Sequence, residues 1–483
     1  MTAIQARQER EAGLRQGAIG LSDALASTLS NMAPVEGIFI VLVIVAGAMG
    51  TLTPWAFMLG AVGIALTGWN VVQLARRIPS AGSYVGFAYH GGEAIHPSWA
   101  KPAAAFTFYL SVASGPITVA AVVVFLGSWL QSAAALPNVW WLVIALAAIA
   151  LTSPIVLRGI VASAKTALLF FAVEAGGLLL ISLIILFRSG GAIGAPMHAH
   201  GGMPGGWGGI VGITFATAVS GFIGWENSAS LAEEIRNPRK VIPVAILGSI
   251  GIVALLYLVA TWAAVSGYVH WKGSAAGTAR LGSLTNAAPF VDLADHYAPW
   301  LHWAVVAIGV ISPAACYLAA ITACSRWTFA SARGGLLARV SSRTAVPAAA
   351  VVLWMTIIAA LCVIPYFMLR GNAVTVAAYE AGIGTVPLLM VYVLISAVTP
   401  VYTWRHDRAT FRITAHVLPS LAGVLVVGYG VYEFVLPNQP SPANTFWAYI
   451  LALVLLAAIA AAVALRLRGP ALARLGQVEA GDD

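Results

Sequence analysis

The sequence predicts an all-α polytopic membrane protein with twelve transmembrane helices, ten of them forming a five-plus-five inverted repeat and two appended. Three observations predict it. Of 483 residues, 60% are hydrophobic and 9% are charged, with a mean hydropathy of +0.89, whereas soluble domains carry roughly 25% charged residues. Twelve apolar runs are each long enough to cross a bilayer, which takes about 20 residues as a helix. The first and sixth runs are interrupted by residues that lipid penalises.

The runs lie near 19–47, 54–75, 102–130, 137–157, 159–187, 207–235, 241–268, 299–330, 346–368, 372–399, 411–436 and 445–466. A β-barrel is excluded, because barrel strands are about 10 residues of alternating polarity and these runs are longer and apolar on both parities. Residues 1–17 read as a polar cytoplasmic segment. The run that follows is too long for the apolar part of a signal peptide, so the first helix is expected to remain in the mature protein. The first repeat then covers 18–187, an outer Gly-rich loop 188–206, the second repeat 207–399, helices 11 and 12 400–467, and a cytoplasmic tail 468–483.

The loop SGGAIGAPMHAHGGMPGG, Ser189 to Gly206, reads as flexible. Its His198 and His200 lack a third ligand for a metal. From His270 to Ala298 polar and apolar residues mix, the pattern of a short surface or re-entrant helix acting as a lid. Trp99, Trp129, Trp140, Trp141, Trp207, Trp271, Trp300, Trp303, Trp404 and Trp447 fall near predicted helix ends and read as an interface belt. Cys316, Cys324 and Cys362 lie in apolar runs without CxxC spacing and read as core.

Lys and Arg concentrate in short cytoplasmic loops. With the N-terminus inside, only Arg188, Lys272, Arg280 and Arg370 fall outside, and the other 21 of the 25 Lys and Arg fall inside. An even helix count and an N-in, C-in orientation therefore support each other. The net charge of +8 expresses membrane topology, not a nucleic-acid footprint.

Run 1 holds Ser30, Asn31, Met32, Ala33 and Pro34, and run 6 holds SGFIGWE, Ser220 to Glu226. Each opens a block of five spans, and interrupted helices at matching positions point to a carrier with its site near the bilayer midplane. Irregular backbone survives at that depth only where it lines a cavity or is buried in protein. Pro34 suits a helix's first turn, so a new half-helix starts there. The N–H groups of Val35, Glu36 and Gly37 and the positive dipole end face the break. The carbonyls of Ser30 to Ala33 suit an ammonium or another cation. In run 6, Gly221 and Gly224 flank Phe222 and Ile223, letting the backbone unwind and an aromatic ring close over a ligand. Glu226 begins the next half-helix, which ends at Asn237-Pro238.

GFIGWENSASLAEEIRNPRKVIPVAI, Gly221 to Ile246, resembles the helix 6 signature of the amino acid, polyamine and organocation permease family. RRIPSAGSYVGFAYH, Arg76 to His90, is similar to that family's loop between helices 2 and 3, and CSRWTFASARGGLL, Cys324 to Leu337, to its helix 8 to 9 loop. The resemblance implies a five-plus-five fold, alternating access, and a site between helices 1 and 6 completed by helices 3, 8 and 10. It implies a secondary carrier of an amino acid or related organic amine in a bacterial plasma membrane, with an amine or polyamine exchanger as the alternative. No cofactor is expected; protons and the lipid bilayer are the expected partners.

The chain departs from its relatives at two acids. Many amino acid members carry Gly or Ser in the helix 1 break to receive the substrate carboxylate, and here Glu36 stands at such a position. Either Glu36 is protonated, or it points away, or the ligand is a cationic amine whose charge it balances. A charged acid at mid-helix costs about 2.5 to 3.5 kcal/mol on insertion scales and marks function by default. Several proton-coupled relatives place a lysine in helix 5 where GIVASAKTALLFFAVE has Glu174; Lys165 lies nearer the inner end and can snorkel. Glu174 reads as a proton-coupling acid, with a silent hydrogen-bonded acid or a cation ligand as alternatives, and Glu226 is the second acid expected to take part in coupling. Glu380, in YEAGIGTVP, lines the cavity or packs.

A membrane-embedded enzyme would need a catalytic constellation, and the sequence holds no HExxH, GxSxG, Walker loop or CxxC pair. A sensor or channel would use the same site without coupled uptake. No long soluble stretch is present to signal.

Overall fold

The computed structural model describes residues 16–158, 160–201, 213–283, 288–337, 347–369, 371–437, 443–468, 472 and 475. The α-helices are α1 Leu21–Met32, α2 Pro34–Met49, α3 Thr53–Ala75, α4 Tyr84–Ile95, α5 Ala100–Ala133, α6 Trp140–Leu157, α7 Ile160–Arg188 and α8 Ile213–Ser220. They continue with α9 Pro238–Lys272, α10 Ser274–Leu281, α11 Pro289–Tyr297, α12 His302–Arg333, α13 Ala348–Met368, α14 Ala373–His406, α15 Leu418–Phe434 and α16 Phe446–Leu467. Among the described residues the only β-type pairing is an isolated bridge between Ile19 and Ile235.

Ten helical stretches among the described residues are long and apolar enough to cross a membrane. Runs 1 and 6 are not counted separately among them. One of the ten, Val41–Ala75, joins the end of run 1 to run 2. Proline punctuates the architecture at the first turn of α2, α3, α9, α11 and α15, where its missing N–H has no helical partner to lose.

Several expectations need correction. The first break is shorter than Ser30 to Pro34: α1 keeps its helical form through Met32, and Ala33 alone leaves the helix before Pro34 restarts it. In run 6 no α-helix starts at Glu226. Residues 221–226 form turns, Asn227–Leu231 is a short 3-10 helix, and Pro238 opens α9 instead of merely stopping its predecessor. The stretch expected to hold one short helix holds two, α10 and α11.

The Gly-rich outer loop is a 3-10 helix over Gly190–Met197. It is fastened by Trp55 Nε1 donating to the Pro196 carbonyl (2.9 Å) and by Thr51, whose hydroxyl donates to the His198 carbonyl and whose N–H donates to His200 (3.0 Å). Residues 202–206 of that loop, Trp207, and the start of run 6 lie outside the described residues. The stretch Arg76 to His90 is not all loop, because α4 begins at Tyr84. Trp129 and Trp141 are buried rather than at an interface: Trp129 donates to the Val306 carbonyl and Trp141 to that of Gly371.

Burial separates centre from periphery. Of an 18-residue stretch within Val41–Ala75, 78% is buried, against 22% of such a stretch in α16, and peripheral helices turn Leu151, Phe187 and Leu467 outward. An apolar exterior of this kind suits lipid, and the chain is a multi-pass membrane protein. The central α1 packs on α7, α9 and α12, while α14 packs on α5, α4 and α15. The second interrupted segment packs through α8 on α3, α15 and α2 and through residues 227–231 on α12, α1 and α9.

One end of the bundle is cross-linked by ion pairs. Arg77 meets Asp407 at 2.7 Å, Arg333 meets Glu233 at 2.5 Å, and the fully buried Arg326 meets Glu234 at 2.8 Å. The Thr410 hydroxyl and the Arg77 guanidinium hold the half-buried Asp407 carboxyl below its ordinary pKa, so this pair persists as pH falls through the usual carboxylate range. Ile19 and Arg236 complete the junction: the Ile19 N–H donates to Glu234 O (3.0 Å) and the Arg236 N–H to Ile19 O (2.9 Å).

Candidate functional site

Ala33 adopts a left-handed conformation, φ 44° and ψ 65°, which costs an L-residue about 1 to 2 kcal/mol. Pro34 prevents α1 from simply continuing, and Ala33 is seated against Val122 of α5 and Cys316 of α12. Ala33→Gly is expected to raise stability by about 1 kcal/mol, because glycine enters this region without the Cβ penalty. A thermal melt in detergent checks it, and a lower midpoint would mean that the methyl's packing outweighs the strain.

In run 6, α8 ends at Ser220 in tight turns: the Phe222 N–H donates to Val219 O and the Ile223 N–H to Ser220 O, each at 3.1 Å. Gly224 follows with φ +102°. The two breaks meet here. Asn31 Nδ2 donates to the Gly224 carbonyl at 3.3 Å, and the Tyr257 hydroxyl donates to the Gly221 carbonyl at 2.6 Å. A Cβ on Gly37 would strike that hydroxyl and crowd the Gly221 carbonyl, and one on Gly224 would strike the Asn31 carbonyl.

Gly224→Ala therefore combines positive-φ strain, about 1 to 3 kcal/mol, with a backbone clash. It is expected to lower the melting midpoint and abolish ligand binding. An unchanged midpoint would show that the breaks need not touch.

The aromatic expected to close over a ligand is packed against α9. Phe222 is fully buried against Tyr257, ring centroids 4.9 Å apart, because the turn directs it toward α9. Ser30 ties α1 to α7 by donating to Ala167 O at 2.8 Å, and Met32 is buried. The carbonyls of Ser30 to Ala33 are less open than expected: Ser30 O accepts from the Ala33 N–H, Asn31 O from the Cys316 thiol at 3.2 Å, and Ala33 O from the Gly37 N–H.

Three acids surround the junction. The Glu36 N–H donates to Ser312 Oγ at 3.2 Å, while its side-chain Oε2 is buried without a partner. Both oxygens of Glu174 are likewise buried without a bonded partner; they face the Val35 N–H and the Ser312 hydroxyl outside bonding geometry. Glu36 and Glu174 are electrostatic neighbours, and Tyr257 and Cys316 lie beside both. Glu226 accepts the Gly224 N–H at 3.2 Å and is flanked by the hydroxyls of Tyr84 and Tyr392, whose rings meet at 5.7 Å.

Among the described residues none of these three acids forms an ion pair with Lys, Arg or His. Glu380 lies elsewhere, beside Cys362, with both oxygens buried and unpartnered.

The arrangement brings Asn31, Ala33, Val35, Glu36, Gly37, Gly221, Gly224 and Glu174 to one place, with Glu226 just past the second break. It suits a small ligand carrying positive charge. Sequence reasoning missed Tyr84, Tyr257, Ser312, Cys316 and Tyr392. Ser312 and Cys316 carried a usable signal, since polar side chains four apart share one helix face. Tyr84 stood inside the Arg76 to His90 motif without being singled out.

The chain matches the amino acid permease family model over residues 19–459. No curated protein matches it. Both broken runs, α12 and α14 fall within the matched span, and the chain belongs to the amino acid permease family, a transporter family of the amino acid, polyamine and organocation superfamily.

Proposed function

We propose that this protein is a secondary active carrier of an amino acid or related organic amine, working by alternating access and coupled to protons. The observation that carries this reading is the meeting of two interrupted spans, Asn31 on Gly224 and Gly37 on Gly221, among three acids, of which Glu36 and Glu174 are buried and Glu226 is partly buried. Bare peptide dipoles and carboxyls at mid-depth provide a grip for a small charged solute. The ten long helices together with runs 1 and 6 give twelve spans, which supports the inverted-repeat reading with runs 11 and 12 appended. The distribution of Lys and Arg supports an orientation with both termini in the cytoplasm.

In this reading the ammonium of the ligand settles against Glu36 and the acceptors of the break, while Tyr84, Tyr392 and Glu226 bar the way on the far side of Gly224. Glu174 exchanges the coupling proton through Ser312. Reconstituted protein is expected to accumulate labelled amino acid or amine when a proton gradient is imposed and to need no sodium. A strict sodium requirement would overturn the proton coupling, and ligand binding without any uptake would favour a sensor.

A further inference from the structure

The end of α7 carries a feature that the transport site does not use. Leu180, Leu183, Ile184, Phe187 and Arg188 of α7 line a cavity of about 370 Å³ together with Trp300, which lies in the 3-10 turn Pro299–Leu301 before α12. Phe187 is 90% and Trp300 71% exposed, so their rings stand out from the bundle as walls of a groove on its apolar exterior. From Leu180 to Arg188 the helix rises about 12 Å, most of the roughly 15 Å of hydrocarbon in one leaflet, and Arg188 ends the span Ala164–Arg188. The groove thus runs at acyl-chain depth, with a guanidinium at headgroup level. Among the described residues that guanidinium makes one hydrogen bond, from Nη1 to the Tyr297 carbonyl at the end of α11, and no ion pair. The acids of α11 are engaged elsewhere, Asp292 by Arg280 at 2.6 Å and Asp295 by His302 at 2.7 Å. A cation in the last turn of a helix favours the helix dipole, but that role calls for no groove beneath it. Arginine presents its N–H donors in a fork that matches phosphate oxygens, so the donors left over suit a phosphodiester standing above an acyl chain.

We propose that this groove is a binding site for an anionic phospholipid, one acyl chain lying along Leu180 to Phe187 against Trp300 and the phosphate held by Arg188. The site is independent of the solute that the protein carries. Because the same guanidinium holds the Tyr297 carbonyl, the bound lipid also steadies the end of α11.

Titration of the purified full-length protein in detergent with phosphatidylglycerol or with phosphatidylcholine of the same chains tests it, read by thermal shift and by native mass spectrometry of retained lipid. Phosphatidylglycerol is expected to bind and to raise the melting midpoint at concentrations about tenfold lower than phosphatidylcholine. Arg188→Gln keeps a donor for the Tyr297 carbonyl but not the charge, and is expected to erase most of that difference. Leu183→Trp changes a half-exposed side chain, fills the groove and leaves Arg188 in place; it is expected to weaken phosphatidylglycerol about tenfold as well, and it decides the matter should Arg188→Gln fail to fold. Inorganic phosphate distinguishes the sources of the anion: stabilisation by phosphate alone, undiminished in Leu183→Trp, would assign Arg188 to a free anion and overturn the lipid site. An equal response to the two lipids in the wild-type protein, or an unchanged phosphatidylglycerol preference in folded Arg188→Gln or Leu183→Trp protein, would overturn it too.

Discussion

Arg326→Ala is expected to destabilise the protein by about 3 to 5 kcal/mol, the loss typical when one member of a buried ion pair is removed and its partner stays charged. Arg326 and Glu234 are 0% and 1% exposed and meet at 2.8 Å. Arg326 Nη1 also donates to Thr322 O and to Ser325 Oγ, both at 3.1 Å. The pair is incompletely satisfied, since Glu234 Oε1 and Arg326 Nη2 lack partners. That imbalance makes a further outcome checkable: replacing both residues with leucine is expected to recover most of the loss, because the cost of burying the charges disappears with them. Chemical or thermal denaturation in lipid nanodiscs reads both. A double variant no more stable than Arg326→Ala would mean that the pair itself, and not the orphaned acid, accounts for the stability.

The same pair has a mechanical place. Glu234 follows the second break, its backbone is paired with Ile19 just before α1, and Arg326 belongs to α12. Ser27 and Asn227, joined at 2.7 Å, and Asn31 and Gly224 continue the seam between the two segments. Segments 16–32 and 224–236 are thus stitched to each other along their length and held to α12 at their end. In the alternating-access proposal, opening at this end requires parting from Arg326, and water entering there would solvate both charges as they separate.

How much of this was legible in the sequence depends on what each residue does locally. Pro34 and the glycines of run 6 announce their effect through backbone sterics, so the places of both breaks could be read directly. Their lengths could not. Whether α1 keeps its last turn depends on Ala167 receiving the Ser30 hydroxyl and Cys316 reaching the Asn31 carbonyl, contacts spanning more than a hundred residues. The acids were visible because a carboxyl in an apolar run is anomalous by itself. Tyrosines, a serine and a cysteine in such runs are ordinary, and only the packing of α4, α9, α12 and α14 makes Tyr84, Tyr257, Ser312, Cys316 and Tyr392 part of the site. Glu380 shows the converse, an acid as conspicuous as Glu174 in sequence but placed beside Cys362, away from the junction.

Glu36→Gln is expected to abolish uptake or change its pH dependence, and Glu174→Gln is expected to uncouple it. The two carboxyls are electrostatic neighbours, and Ser312, which accepts from the Glu36 backbone N–H, also faces Glu174, so a charge arriving at one carboxyl is felt by the other and the two titrate as a pair. An ammonium placed on Glu36 favours the ionised pair, and the departing proton is the coupling event of the proposed cycle. A glutamine at position 36 keeps the shape but removes the charge that balances the ligand, a change worth about 2 to 5 kcal/mol for a buried charged contact. At position 174 it keeps the carbonyl beside the Val35 N–H yet cannot give up a proton. Glu174→Gln protein should still exchange ligand across proteoliposomes loaded on both sides, while its accumulation under an imposed proton gradient falls to simple equilibration. Gradient-driven accumulation at the wild-type level in Glu174→Gln would move the coupling site elsewhere. Uptake at wild-type rates at every pH in Glu36→Gln would remove that carboxyl from ligand contact.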